Sequence, residues 1–170
     1  EAWLDLPSDK FTSNNSRQIT TRHLGLVNVF PHLQNFEQTH LSWYAEGQNN
    51  SWNYGTPTAP KISGAASGKK AWKTNLSGNY NHFENSYLYS GCFDISSLKR
   101  AVVSFSLAVN IDSCRSFCDI VRIMFSTDGV TWRLLSNLSS KKYKQWQSFT
   151  ALVPDTVKRA QFRMHVFTDG

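Results

Sequence analysis

The segment DIVRIMFSTDGVTWRLLS, from Asp119 to Ser136, contains the pattern that decides the fold class. Its first half alternates apolar with polar residues, which is typical of a half-buried β-strand. The residues predicted to share the apolar face are Val121, Ile123 and Phe125. Asp128-Gly129 then supplies residues that tolerate the positive φ of a tight turn. The segment therefore predicts an antiparallel hairpin whose return strand resumes at Trp132.

Similar strand patterns lie on both sides of this hairpin. They are Ser86–Ile95, Ala101–Ile111, Trp146–Pro154 and Ala160–Gly170. In the last of these, Phe162, Met164 and Val166 alternate with more polar residues. Helical spacing is nearly absent, and turn residues recur at close intervals. We therefore predict an all-β chain that folds as a two-sheet antiparallel β-sandwich of jelly-roll type, with little or no helix.

The length of 170 residues suits one domain with a sizeable core. Residues 1–28 show no clear period and predict an N-terminal edge strand and loop, or the remnant of a preceding domain. Residues 29–170 are predicted to form the jelly-roll module. No run of about 18 apolar residues is present, so no membrane span is expected. The chain opens at Glu1 without Met or a signal peptide, and we expect a mature or excised fragment.

The net charge of +6 and the pI of about 9.4 raise the question of nucleic-acid binding. The basic residues form small groups, such as Lys69-Lys70 and Lys158-Arg159, and no zinc-finger, RNP or helix-turn-helix pattern accompanies them. Scattered lysines in loops usually form a solvated surface. Nucleic acid is therefore not the expected partner, whereas weak contact with acidic polymers stays open.

The sequence does not predict an enzyme. No Gly-x-Ser-x-Gly turn is present, the five histidines are single, and most acidic residues fall in turns. STDGVTW, from Ser126 to Trp132, is one residue short of the Asp-box spacing Ser-x-Asp-x-Gly-x-Thr-Trp. We interpret it as a hairpin turn in which Asp128 bonds turn amides and Trp132 packs on the sheet.

The three cysteines allow two interpretations. Cys114 and Cys118 frame CRSFC, and this spacing can be bridged across a tight loop. We predict a Cys114–Cys118 disulfide and a buried free thiol at Cys92. Three reduced, inert cysteines are the alternative.

Aromatic and amide residues concentrate between residues 43 and 89. The rings predicted to form a sugar-stacking surface are Trp43, Trp52, Tyr54, Trp72 and Tyr80. Rings at the edge of the core are the alternative for each. The loop NLSGNYNHFENSYL and Glu37 also offer the hard oxygen ligands that Ca²⁺ prefers. A loop that satisfies its own backbone is the alternative there.

Several motifs in Phe30–Gly170 together resemble a known group of modules. They are Trp-x-x-Gly-x-Pro, AWKTNLSGNY, SYLYSGCFD and Ser-x-Asp-Gly-x-x-Trp. The region resembles the MAM-like and galactose-binding-like jelly rolls of secreted, multidomain cell-surface proteins of Bacteroidetes. The resemblance implies a noncatalytic exported module that accompanies peptidases, glycan-degrading enzymes or adhesins.

The same resemblance implies a structural Ca²⁺ ion. The ligands carried over to this sequence are Glu37, Asn75, Asn79 and Glu84. Ser77 stands where such modules often have Asp, so one carboxylate is lost. Such modules also continue with a closing strand beyond the last residues of this chain. We consider the hypothesis that Ala2–Leu6 fills that place.

The sequence thus predicts a secreted or surface-exposed binding module with no catalytic residues. Carbohydrate is the first ligand class, held by ring stacking and loop amides, with Ca²⁺ ordering a loop. The alternative is a protein-interaction or adhesion module, or a spacer beside a secreted peptidase or glycan-degrading enzyme. Expected partners are a glycan or a cell-surface protein and the other domains of a larger secreted protein.

Overall fold

The computed structural model describes residues 2–3, 16–17, 22–38, 42–111, 119–138 and 143–169. Within these residues the chain forms twelve β-strands and no helix. The strands are β1 (Ala2–Trp3), β2 (Ser16–Arg17), β3 (Leu26–Val27), β4 (Tyr44–Gln48), β5 (Trp52–Gly55), β6 (Ala71–Thr74), β7 (Asn85–Asp94), β8 (Val102–Val109), β9 (Ile120–Ser126), β10 (Arg133–Asn137), β11 (Tyr143–Leu152) and β12 (Arg159–Phe167).

The main sheet has the order β10-β9-β12-β7, and the free side of β7 pairs with two short strands. β4 pairs with the first half of β7 in antiparallel orientation, and β3 pairs with Cys92 and Phe93 in parallel orientation. β8 and β11 form a second antiparallel sheet, and β5 pairs with β6. The predicted all-β sandwich is confirmed, with β3 as a parallel exception.

The core lies between β8 and the inner face of the main sheet. Val121, Ile123 and Phe125 of β9 are all buried, as their alternation predicts. Phe162 and Val166 of β12 are buried beside them. Leu107 and Val109 of β8 belong to the same apolar clusters, whereas the intervening residues of β8 are more exposed. The two-residue period therefore separates a core face from an outer face on each of these strands.

The β9–β10 connection confirms the hairpin but not the detail of its turn. One carboxylate oxygen of Asp128 accepts from the backbone N–H groups of Thr131 at 2.7 Å and Val130 at 2.8 Å. These bonds hold the pKa of Asp128 well below its ordinary value. Gly129 has φ of 75°, whereas Asp128 does not have positive φ, so that expectation was wrong. Trp132 precedes β10 and packs on the sheet as predicted.

The N-terminal strand does not close the sandwich. β1 pairs with β2 in a separate two-stranded sheet, and neither joins the main sheet or the β8–β11 sheet. The closing-strand hypothesis is therefore wrong for Ala2–Trp3. Cys92 carries a free thiol, as predicted, but is only partly buried. The predicted Cys114–Cys118 disulfide lies outside the described residues.

The docking of β4 on β7 depends on Gly47. Its φ is 132°, and an added Cβ would lie 2.6 Å from the Cα of Ser86 and even closer to the carbonyl oxygen of Asn85. A side chain at this position therefore collides with the backbone of the neighbouring strand.

We expect Gly47→Ala to lower the free energy of unfolding by about 3 kcal/mol, because the backbone of β4 or β7 must shift. Gly64→Ala is the matched control: its φ of 74° is also positive, but no atom lies within 4 Å of the added Cβ. The control should cost about 1 to 2 kcal/mol from backbone strain alone. Equal losses for the two variants in urea denaturation would contradict the close-approach argument.

Candidate binding cavity and outer sheet face

Four of the five aromatic residues predicted to bind a ligand line one cavity of about 1010 Å³. They are Trp43, Trp52, Trp72 and Tyr80. Tyr54 packs against Trp72 with ring centroids 5.9 Å apart, and its hydroxyl donates to the carbonyl oxygen of Phe36. The structure thus brings the predicted rings together. Tyr54 does not line the cavity but contacts Trp72, which does.

The cavity extends from the surface into the sandwich. Leu33 and Lys61, which are exposed, contribute to its lining, as do the buried residues Leu88 and Phe162. Ligand sites in proteins are concave, mostly apolar and of about 300–1000 Å³, so this cavity is at the upper end of that range. Trp52 and Tyr80 also pack against the core, as the alternative for these rings predicted.

Two indole groups in the cavity wall have an unsatisfied donor. The Nε1–H groups of Trp52 and Trp146 are buried and have no hydrogen-bond acceptor among the described residues. A buried donor without an acceptor is uncommon because it loses its bond to water. Sequence reasoning missed Trp146, since it lies on β11, far from the aromatic-rich segment. Trp146 begins a predicted strand with alternating apolar residues, and this position could have indicated that its side chain faces the interior.

Lys73, on β6, belongs to the same lining. Its ammonium group donates to three backbone carbonyl oxygens: Thr74 at 2.9 Å, Asn75 at 2.6 Å and Gly78 at 2.9 Å. Lys73, Gly78 and Asn79 also line the cavity. A basic side chain therefore stabilises the loop that follows β6.

The two carboxylates predicted to bind Ca²⁺ bond to protein donors instead. Glu37 accepts from the backbone N–H groups of Lys70 at 2.8 Å and Lys69 at 2.9 Å, and these bonds lower its pKa. Glu84 is fully buried, and its two oxygens accept from Ser51 and Ser86. Neither carboxylate shares a donor with the other.

The two amide residues predicted to bind Ca²⁺, Asn75 and Asn79, make different contacts from each other. The side-chain oxygen of Asn75 faces the backbone N–H of Ser77 at 3.4 Å, within its own turn, whereas Asn79 lines the cavity. In the part of the chain that the structure describes, no three His, Cys, Asp or Glu residues are grouped to hold a metal. These contacts do not join Glu37, Asn75, Asn79 and Glu84 to one another, and Ca²⁺ binding by this set stays a prediction.

A second aromatic group, which sequence reasoning missed, covers the outer face of the main sheet. We call it the outer-face stack. Its members are Arg22, Tyr44, Tyr87, Tyr89, Trp132, Arg163 and His165. β12 lies between β7 and β9, and its register places Arg163 opposite Tyr89 and His165 opposite Tyr87. Predicting it required knowing which strands are neighbours.

The outer-face stack is continuous. Arg22 lies 4.0 Å from the ring centroid of Tyr44, which stacks on Tyr89 at 4.7 Å. Tyr89 meets Trp132 edge-on at 5.4 Å. The guanidinium of Arg163 lies 4.2 Å from the centroid of Trp132 and 4.3 Å from that of Tyr87. These cation–π contacts hold the side chains in fixed positions.

Arg22, Arg122 and Arg163 bring positive charge to this face, and Glu46, which lies opposite Tyr87 in the register of β4 and β7, brings a carboxylate. Within the described residues, no carboxylate lies at ion-pair distance from Arg163. His165 stacks on Tyr87 at 4.5 Å, and its Nε2 lies 2.9 Å from the side-chain oxygen of Asn85. Burial, followed by the positive charges of Arg163 and Arg122, lowers the pKa of His165 to about 4. The imidazole is therefore neutral at neutral pH.

None of the described residues belongs to a helix long and apolar enough to cross a membrane.

Comparison with known proteins identifies one family and several structural relatives. A sequence model of the family described as Reelin subrepeat B matches residues 68–169. Bacillopeptidase F of Bacillus subtilis (strain 168) is 47% identical over 53 residues, which are 31% of this chain and 4% of that protein. The chain therefore corresponds to a small part of this relative's length.

Three solved structures share the fold at low sequence identity. TmCBM61, in complex with β-1,4-galactotriose, is 13% identical with a TM-score of 0.50, over 79% of this chain and 80% of that one. The K1 cleaved adhesin domain of Lys-gingipain (Kgp) from Porphyromonas gingivalis W83 is 16% identical with a TM-score of 0.52, over 81% and 97%. The K2 domain of Lys-gingipain gives the same two values over 79% and 94%.

We expect the stability of the protein to fall as pH decreases from about 6.5 to about 4, in part through His165. Its folded-state pKa is lowered, so below pH 6.5 the unfolded chain binds a proton that the folded chain does not. The loss should be about 1 to 2 kcal/mol, because solvent screens this half-exposed site. His165→Gln should remove that part of the pH dependence.

The measurement is urea unfolding between pH 4 and pH 7.5, with the imidazole titration followed by NMR. His23→Gln, at an exposed position, is the matched control and should leave the slope unchanged. An ordinary pKa near 6.5 for His165 would contradict this description of the outer face.

Proposed function

The chain belongs to the Reelin subrepeat B family, and from that premise we propose that it is a noncatalytic binding module whose cavity takes a carbohydrate. The observation that carries this proposal is the pair of buried indole N–H groups of Trp52 and Trp146 in the wall of an aromatic cavity. A ligand with hydroxyl oxygens supplies the acceptors that these donors lack.

The chemistry of the wall suits a sugar. The C–H faces of a pyranose pack on aromatic rings, and the rings of Trp43 and Trp72 line the cavity. Asn79 and Lys70 belong to the same lining, and amide and ammonium groups form hydrogen bonds with hydroxyls. An entirely apolar ligand would leave the indole donors unpaired, so the arrangement favours a polar ligand with flat apolar faces.

The fold is compatible with this ligand class, because TmCBM61 holds β-1,4-galactotriose on a sandwich of the same type. The proposal extends to location and context: a secreted or surface-exposed module within a larger protein, beside a peptidase or another catalytic domain. The partial match to Bacillopeptidase F supports that context. Origin in Bacteroidetes and MAM-like membership stay part of the proposal.

The first prediction from this proposal concerns the indole donors. Trp52→Phe and Trp146→Phe keep a ring but remove the N–H group, and each should weaken glycan binding about fivefold, the equivalent of one hydrogen bond. Trp72→Ala removes a stacking face and should weaken binding more. A glycan array identifies the ligand for the wild type, and affinity gel electrophoresis then compares the variants.

Trp132→Phe is the matched control, because Trp132 lies in the outer-face stack and does not line the cavity. It should bind glycan as the wild type does. If the wild type binds no sugar on the array, or if the control loses as much affinity as Trp52→Phe, the cavity is not a carbohydrate site.

Protein interaction is the second candidate function, and the outer-face stack is the observation that favours it. Tyr, Trp and Arg are the residue types that dominate the energy of protein interfaces. Here they lie on paired strands and are held by mutual stacking, so little side-chain entropy is lost on binding. Arg22 and Arg163 have no carboxylate at ion-pair distance in the described residues, although Glu46 lies on the same face, and this excess of positive charge favours an acidic surface on a cell-surface protein.

If this second function is correct, Arg163→Ala should reduce binding to a protein partner by at least about tenfold, since it removes the central cation of the stack. Plate binding to a panel of purified extracellular-matrix proteins supplies the measurement. Arg100→Ala changes an exposed arginine in a connecting segment and is the matched control. Unchanged adhesion of Arg163→Ala would assign the stack a structural role only.

A further inference from the structure

The ammonium group of Lys73 lies among three backbone carbonyl oxygens and donates a hydrogen bond to each. Its three donors are matched by three acceptors, the carbonyls of Thr74, Asn75 and Gly78, at 2.6 to 2.9 Å. These carbonyls come from the end of β6 and from the turn that follows it. Their oxygens converge on one point, and their partial negative charges favour a positive charge at its centre.

The turn that contains these carbonyls has an unusual and well-anchored backbone. Asn75 has φ of 51°, in the left-handed region that a non-glycine residue seldom adopts. The loop is anchored from outside as well: Asn75 N–H donates to the carbonyl of Ser51 at 2.7 Å, and Thr58 N–H donates to that of Leu76 at 2.8 Å. The three carbonyl groups that accept from Lys73 therefore belong to a loop that is fixed by other hydrogen bonds.

Carbonyl oxygens of this kind are also ligands of Ca²⁺ in proteins. The carboxylates that a Ca²⁺ ion needs in addition are bound elsewhere, because Glu37 and Glu84 accept from protein donors. We infer that Lys73 is the built-in cation of this loop and takes the place of a metal ion, so that the loop is ordered without Ca²⁺.

Burial and hydrogen bonding act on the charge of Lys73 in opposite directions. Partial burial lowers the pKa of the ammonium, while three carbonyl bonds favour its charged form. Lys73 and Gly78 also contribute to the cavity wall. The inference nevertheless stands on the geometry of the loop and does not depend on the proposed ligand.

The first test uses the wild-type chain. Thermal unfolding in millimolar EDTA and in millimolar CaCl₂ should give the same midpoint to within about 1 °C, because a ligand that binds only the native state raises stability. Calorimetric titration with CaCl₂ should show no binding. A midpoint that falls by several degrees in EDTA, or saturable Ca²⁺ binding, would overturn the inference.

The second test removes the cation. Lys73→Met keeps much of the side-chain volume but removes the ammonium donor from three carbonyls, of which that of Asn75 keeps a bond of 3.4 Å from the Gly78 N–H, and its midpoint should fall by roughly 5 °C or more. Lys99→Met changes an exposed lysine and should be nearly neutral. Lys73→Arg keeps the charge, but its planar fork does not match three converging carbonyls, so an intermediate loss is expected.

Chemical rescue separates the ammonium from the alkyl chain. Propylammonium added to Lys73→Ala should raise its midpoint toward that of the wild type, whereas tetramethylammonium, which has no N–H donor, should not. Equal midpoints for Lys73→Met and Lys99→Met would overturn the inference. So would equal effects of the two ammonium ions.

Discussion

The buried carboxylate of Glu84 is the constraint on which both surfaces of the molecule depend. Its oxygens accept from the backbone N–H of Ser51 at 3.0 Å and from the hydroxyl of Ser86 at 2.5 Å. Its own backbone exchanges bonds of 2.9 Å with Thr168. The starts of β5 and β7 and the end of β12 are thus joined at one point. Each of these buried donors would cost about 1–3 kcal/mol without its acceptor.

This junction explains why one small domain presents two different surfaces. By fixing Ser51, Glu84 orients the β5–β6 hairpin, and with it Trp52 and Trp72 of the cavity wall. By holding the adjoining ends of β7 and β12, it also maintains the register that places Arg163 beside Tyr89. Since side chains alternate along a strand, the same two strands supply core residues on one face and the stack on the other.

Periodicity predicted the parts of the fold that local sequence determines. The alternation in β8, β9 and β12 indicated the buried faces correctly, and the rings gathered between residues 43 and 80 do meet in a cavity. Long-range pairing set the rest. Tyr44, Tyr87, Trp132 and Arg163 are far apart in the chain, and only strand order brings them together. The two-residue alternation of apolar side chains along a strand does not indicate which strands are adjacent in the sheet.

In polar loops the sequence does not show which partner an oxygen atom will have. An oxygen atom suited to a metal ion is equally suited to a protein donor. Glu37, Glu84 and the carbonyl of Asn75 all have the chemistry of Ca²⁺ ligands, and all three are satisfied by N–H or O–H groups of the chain. What decides between the two outcomes is the position of a competing donor. Lys73 is two residues from Asn75, and its extended side chain returns to the turn that follows its own strand. A covalently attached ammonium has a high effective concentration, and a free ion must compete with it for the same carbonyl oxygens.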